Sequence, residues 1–354
     1  MILRKIFATL GLIMVMTTAQ AQDIPLDAGL PLAVQAGVAL VEMEGFDENA
    51  GTFEATVDLR LRWRDGRLAR TDGNMLAPPL TLRNEAAAER LAQIWVPDVV
   101  ITNQIGDASK DQKGLRIFAD GTVEVLRRVT AVFKVDVNMD RFPFDRQKLT
   151  IEAVIDDRSI NEVVLKTAQS DLDFSSVSRN VSLSGWRVGL IDITTPPSAG
   201  WYSTSAARLV ATVDITREPG LAVASMLIPL VASLLIPLLA LWLNRLEEGV
   251  FQVDAFELVN IVIGGFFAVI ALNFTVLSSY PALVEGNNAV MRLLTLNYGT
   301  LAIALVISIL FARFGVLANS FGLFIQEQTY KFLMWALPIS LAAIVAAILG
   351  AAYV

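Results

Sequence analysis

Short apolar runs alternate with polar residues over the first part of the chain, and long uninterrupted apolar runs fill the rest. The clearest alternation starts at Phe53: Phe53, Ala55, Val57, Leu59, Leu61 and Trp63 are interleaved with Glu54, Thr56, Asp58, Arg60, Arg62 and Arg64. A period of two over twelve residues predicts a half-buried strand, and Asp65-Gly66 predicts its turn. Further strands are expected over 33–43, 114–117, 123–126, 130–137, 149–155, 161–165, 186–193 and 208–215. Turn chemistry at Ala119-Asp120-Gly121 and Pro196-Pro197 separates them. The one helical stretch expected in this part is 84–91. Many short strands with regular turns predict an all-β sandwich, immunoglobulin-like, over 22–217.

From 218 to 354 the alternation stops. Helices are expected over 219–243, 258–284, 289–313 and 331–354, each with a charge-free core of at least 20 residues. At about 1.5 Å per residue each can cross a bilayer, so a four-helix membrane bundle follows the sandwich. Pro229 and Pro237 fall inside the first span, which a bilayer tolerates when neighbouring helices or water satisfy the freed carbonyls. The second span differs from the others. Glu257, Asn260, Gly264, Phe267, Ala271, Phe274 and Ser278 recur at spacings of three and four, so they share one face. A carboxylate and an amide on that face suit water better than lipid.

Composition sharpens the division. The 354 residues are 54% hydrophobic, too apolar for an ordinary soluble domain, and the charges are concentrated before residue 218. Residues 1–21 read as a secretory signal peptide: Arg4 and Lys5, an apolar run over 6–16, then Ala19-Gln20-Ala21. The run is too short to span a membrane, so the mature chain is expected to begin outside the cytoplasm. Arg245, Arg313 and Lys331 would then lie inside against Arg292 outside, a mild positive-inside bias. There is no cysteine and no histidine, so disulfides, the usual zinc and haem sites and catalytic triads lose their residues. No cofactor or metal is expected, and an enzyme is not, since no Gly-x-Ser-x-Gly or phosphate loop occurs. A net charge of −7 argues against nucleic acid.

Two Pro-rimmed motifs stand in the soluble half: Trp95-Val96-Pro97-Asp98 and Phe142-Pro143-Phe144-Asp145. Ahead of four membrane spans, in this order, they resemble the pentameric ligand-gated ion channels, the Cys-loop receptors and their bacterial relatives. Arg217 resembles the arginine that family places at the junction of its two domains. The family's disulfide would bracket the Phe-Pro-Phe-Asp loop; here Val135 and Leu149 stand at those spacings, as bacterial members also lack the bridge. The resemblance implies a homopentamer in the bacterial inner membrane with its sandwich outside, opened by a small-molecule or proton agonist.

The stripe then acquires roles. Five copies around an axis make rings of each residue. Glu257 and Asp254 would form a cation-attracting mouth for ions such as Na and K, and Asn260 and Gly264 the polar part. Phe267, Ala271 and Phe274 would form the gate. The plainer readings are a solvated helix start for Glu257, a helix–helix hydrogen bond for Asn260 and bundle core for the rings. Coupling between sandwich and pore would pass through Asp47, Glu48, Phe144, Asp145, Arg217 and Pro281, or those charges would be an inert salt bridge. Agonist contacts, by chain order in the resemblance, are Arg62, Arg64, Asn103, Arg116, Phe118, Asp156, Arg158, Trp201 and Tyr202. Trp201-Tyr202 suits a cation and the arginines a carboxylate. The alternative is a non-conducting membrane receptor or scaffold that binds an extracellular partner and needs no wet stripe.

Overall fold

The computed structural model describes residues 23–353 apart from 28, 72–73, 75–76, 245, 248–249 and 285. The expected leader 1–21, Arg245 and Glu248 lie outside the described residues.

Two sheets face each other. The first has six strands in the order β3 (Leu80–Arg83), β5 (Gln104–Ile117), β6 (Thr122–Lys134), β2 (Thr52–Arg64), β1 (Leu32–Asp47) and β8 (Val163–Lys166). The second runs β11 (Ser205–Arg217), β7 (Arg146–Ile155), β4 (Val100–Ile101), with β9 (Trp186–Thr194) and β10 (Ser198–Ala199) also paired to β11. Pairing is antiparallel except between β1 and β8. The inward residues build one core in which Phe53 stacks on Phe133, with ring centroids 5.2 Å apart, beside Leu149, Ile155, Leu209 and Ile215. Val135 and Leu149, the residues at the disulfide positions, are both buried in it. Packing therefore does there what a covalent bridge does elsewhere.

The alternating stretch from Phe53 is the centre of β2. Its apolar set is buried, while Arg60 and Arg62 are half-buried and Arg64 is exposed. The two expected runs 123–126 and 130–137 are one strand, β6, which ends at Lys134. Arg127 and Arg128 interrupt the apolar pattern but not the ladder, because they pair with Asp111 and Asp58 on the adjoining strands. The β5–β6 turn needs Gly121: its φ is +84°, and a Cβ there would lie 2.6 Å from the Asp65 carbonyl. Helix α1 is Asn84–Leu91 as expected, and α2 (Gln169–Phe174) was not foreseen.

Four helices long and apolar enough to cross a membrane follow, at Gly220–Trp242, Ala255–Ser279, Ala289–Arg313 and Leu323–Tyr353. The second is expected over 258–284 but stops at Ser279; Pro281, without an N–H, opens a separate 3₁₀ turn, Pro281–Val284. It also begins earlier, because the Asp254 carboxylate caps it, accepting from Phe256 N at 2.7 Å. The fourth begins at Leu323 instead of 331. Gln326 is buried and accepts from Ala318 N at 3.1 Å, and Lys331 pairs with Glu327 one turn back at 2.6 Å, so polar residues extend the helix below its apolar part.

Candidate functional site

Seen down the second span, the residues divide into two faces. Leu258, Val262, Gly265, Val269 and Val276 are buried against the other helices. At about 100° per residue they centre on the side opposite the stripe. Glu257, Asn260, Gly264, Phe267, Ala271, Phe274 and Ser278 are all exposed on the protomer, with Phe267 at 69% and Phe274 at 76%. The stripe is thus the face this helix does not use in packing its own chain. The two central glycines differ. Gly264 has open space around it, whereas a Cβ on Gly265 would lie 2.7 Å from Leu301 and 2.9 Å from Ile236. Gly265 lets the first, second and third spans approach.

At the junction of sandwich and bundle, Arg217 ends β11 two residues before Pro219. Its guanidinium donates to Asp145 at 2.6 and 3.1 Å and to Glu48 at 2.9 and 2.7 Å. Both pairs are bidentate, the strong geometry for this ion pair. Two aromatic rings lie against it, Trp186 with its centroid 4.2 Å from the guanidinium carbon and Phe142 at 4.8 Å. Burial by itself would lower the Arg217 pKa; the hydrogen bonds to Glu48 and Asp145 outweigh it and the net shift is upward. The arginine stays charged. Gln147 completes the cluster, donating to Asp145 Oδ2 at 2.7 Å and to the Asn138 carbonyl.

The other expected junction residues take separate places. Asp47 is spent on its own turn, accepting from Asn49 N and Ala50 N. Asn49 then accepts from Ala282 N at 3.5 Å, so the β1–β2 turn rests on the loop after the second span. Pro281 lines a cavity of about 640 Å³ between that turn and residues 135–140. Phe142 meets Tyr280 at 5.5 Å, and Phe144 meets Tyr353 of the fourth span edge-on at 5.6 Å.

Eight of the nine expected agonist residues fall into two groups, one per sheet, and Asn103 bridges the sheets. Arg62 and Arg116 flank Glu124 across β2, β6 and β5, with Arg64 opposite Thr122 and Phe118 N bonded to the Thr122 carbonyl. Asp156 and Arg158 follow β7, and Trp201 and Tyr202 precede β11 at the same end of the other sheet, where Ala207 pairs with Ile155. Tyr202 is 95% exposed with φ +52°. Four members are already engaged: Arg116 pairs with Glu124 and Arg158 with Asp157, both at 3.3 Å, and Asn103 and Arg62 are tied into the sandwich. The Asn103 amide donates to the Lys134 and Thr150 carbonyls and accepts from Glu152 N. Arg62 donates to Asp171 at 2.9 Å and to Gln35 at 3.1 Å.

Asp171 is the main residue missed from sequence. It is fully buried on α2, held by Arg60 at 2.8 Å and Arg62 at 2.9 Å. Gly37 admits α2 to β1, since a Cβ there would lie 3.0 Å from the Asp171 carbonyl. Near Asp156, the Asp157 carboxyl, although 42% exposed, is shifted upward from its ordinary value by partial desolvation; Asp98 and Asp156 add to the rise and Arg158, 3.3 Å away, opposes it.

Comparison with known proteins places this geometry. The chain is 26% identical over 252 residues to a proton-gated ion channel of Gloeobacter violaceus, covering 71% of this chain and 65% of that one. It is 24% identical over 225 residues to the mouse gamma-aminobutyric acid receptor subunit rho-1, covering 61% and 45%, and 23% identical over 234 residues to mouse subunit theta, covering 65% and 35%. The matched part spans less than two thirds of each relative's length. The family model of the neurotransmitter-gated ion-channel ligand binding domain matches residues 15–219. With an extracellular β-sandwich on residues that match and four apolar helices behind it, the chain is a multi-pass membrane protein and belongs to the family of neurotransmitter-gated ion channels, which are not enzymes.

Proposed function

We propose that this chain is one subunit of a homopentameric, cation-selective channel of the bacterial inner membrane, opened from the sandwich by a small molecule or by protons. The observation that carries the reading is the second span: seven residues at helical spacing, all exposed, opposite a face buried in the chain's own bundle. A free face with Glu, Asn and Gly on a membrane helix is costly in lipid and is accommodated when copies gather around water. Glu257, in the first turn above the Asp254 cap, contributes a ring of carboxylates at the inner mouth. Phe267 and Phe274, two turns apart, make apolar constrictions that close by dewetting.

The agonist site lies between neighbouring copies in this reading. The two residue groups sit on different sheets of one chain, so a cyclic arrangement sets the Trp201–Tyr202 group of one copy against the Arg62–Arg116 group of the next. A relative is named a proton-gated channel, and the raised Asp157 carboxyl is the group in this region suited to a proton signal. Coupling runs through Arg217, whose two acids come from the β1–β2 turn and from the Phe-Pro-Phe-Asp loop.

The test is current across a bilayer holding only the purified protein, over a range of pH and a panel of small amines and carboxylates. Glu257→Ala should move the reversal potential in a salt gradient toward zero. A reversal potential that does not move removes Glu257 from selectivity. Silence under every condition favours the non-conducting receptor.

A further inference from the structure

Asp171 sits where the carboxylate of a ligand would sit. Arg60 and Arg62 alternate with Leu61 on β2, so both leave the same face of the sheet, about 7 Å apart. On that face Arg60 stands beside Leu126 of β6, and Leu126 beside Gly114 of β5. A cavity of about 580 Å³ opens there, lined by Arg60, Arg116, Glu124, Arg128 and Phe174, and its size is usual for a small-molecule site. Its arginines meet acids of their own chain. Arg128 pairs with Asp58 at 2.7 Å and Arg116 with Glu124 at 3.3 Å. Arg60 and Arg62 converge instead on a single oxygen: Nη2 of each donates to Asp171 Oδ1, at 2.8 and 2.9 Å. Guanidinium groups gathered on one carboxylate are the means by which proteins recognise an acid. Here the acid arrives on α2, 111 and 109 residues along the same chain.

The fold fixes that acid in place. Asp171 Oδ2 accepts from Ala168 N at 3.0 Å, so the carboxylate cannot leave without undoing the first turn of α2. Ser175 ties the other end of the helix to β1: its hydroxyl donates to the Asp171 carbonyl at 2.6 Å and accepts from Val38 N at 3.1 Å. Phe174 covers the Arg60 guanidinium, with its centroid 4.2 Å from the central carbon. The Asp171 side chain is wholly buried, while those of Arg60 and Arg62 are 14% and 22% exposed. A free carboxylate must therefore compete with one that the chain itself holds at the pair, at the effective concentration of a tethered ligand. Resting on the reading that this face takes the agonist, we propose that Asp171 is the specificity-determining residue of the site: it occupies the Arg60–Arg62 pair from within and closes it to free carboxylates. An acid group on the ligand then gains nothing on this side. The opposite side, with Trp201 and Tyr202, selects an ammonium group by its ring faces.

Saturation-transfer NMR of acetate with the full-length protein in detergent, at an ionic strength held constant with chloride, tests this without reference to conduction. Wild type should show no acetate binding that R62Q removes. D171S keeps a hydroxyl that can accept from Ala168 N; it should bind acetate about tenfold more tightly than wild type, the worth of one charge-assisted hydrogen bond. R62Q/D171S should lose that gain. A lower melting temperature in D171S with no gained acetate binding is what an ion pair that only docks α2 would give, and it overturns the proposal. Acetate binding to wild type that R62Q abolishes overturns it too, and should D171S not fold, that comparison decides alone. Current recordings test the underlying reading separately. Gained acetate binding without an acetate-dependent current in D171S would keep the closed arginine pair and remove this face from the agonist site.

Discussion

Arg217 shows how one side chain can hold a junction together. Its side chain, 7% exposed, meets two carboxylates and two aromatic rings. A buried ion pair contributes little beyond an apolar replacement, yet removing one partner strands the other charge, at a cost of about 3–5 kcal/mol. Arg217→Ala leaves Asp145, 1% exposed, without its cation. It should lower the melting temperature of the sandwich, followed by circular dichroism, by roughly 10 °C. Glu48→Gln, at a site 14% exposed, should cost less; equal losses would contradict the geometry. Asp157 gives a prediction of opposite sense. Its carboxyl is raised when folded, so the native state binds the proton more tightly than the unfolded chain. Stability from this group is present at low pH and is lost as pH rises from about 4 through the folded value. Asp157→Asn should flatten that part of the unfolding midpoint against pH, and an unaltered profile would show that the group is not perturbed. At this scale the sequence disclosed the acids and arginine of the junction, because their motifs are local. It hid Trp186 and Asp171, whose partners are 31 to 111 residues away, and Gln147, whose partners Asp145 and Asn138 are near in the chain but meet it only through the fold of the loop before β7.

Among the elements, strands with strict alternation were legible to within one or two residues, as β2 shows. Short edge pieces such as β3 and β4 were not, because four or two residues carry no period. Helix α2 escaped because its stability is tertiary: a buried carboxylate, two arginines from β2 and a glycine on β1 that lets it dock. The membrane helices were found by length and apolarity, but their ends are set by polar detail. Asp254 starts one helix and Pro281 follows its end, while Gln326 and Glu327 lengthen another. The first span is interrupted by a π-helical turn at Val223–Leu227 and by a break at Leu234. Asn297 of the third span repairs it, donating to the Leu230 carbonyl at 3.0 Å while Ser233 bonds its oxygen at 2.7 Å. The carbonyl it satisfies is freed by the break, where Leu234 N turns to the Val231 carbonyl at 3.2 Å, and lies between the two prolines of the span. Gly265 sets the distance between these helices. Gly265→Ala should cost about 1–3 kcal/mol by overpacking and lower the thermal stability of the detergent-solubilised protein. Gly264→Ala, one residue away in open space, should not lose stability, since Ala is the better helix former; a similar loss from both would show that the close approach at Gly265 is not what matters.

For the whole molecule, the question is what covers the exposed stripe. An isolated chain leaves Phe267 and Phe274 bare, and either lipid or other copies around water can meet them. The two environments differ in what reaches a thiol. The chain has no cysteine, so a single introduced one reports without background. Cysteines at Asn260, Phe267 and Ala271 should react with charged, membrane-impermeant thiol reagents when the channel is stimulated. Those at Val262 and Val269, both 0% exposed on the opposite face, should stay protected. The arrangement also predicts an order within the stripe. If Phe267 and Phe274 close the lumen by dewetting, a reagent added from the outside at rest should stop before Ala271, held between them, and reach it on opening. Asn260 then reacts from the inner side in either state. Modification of all three positions by lipid-soluble probes but by no charged reagent, under any stimulus, would place the stripe in lipid and remove the pore with it.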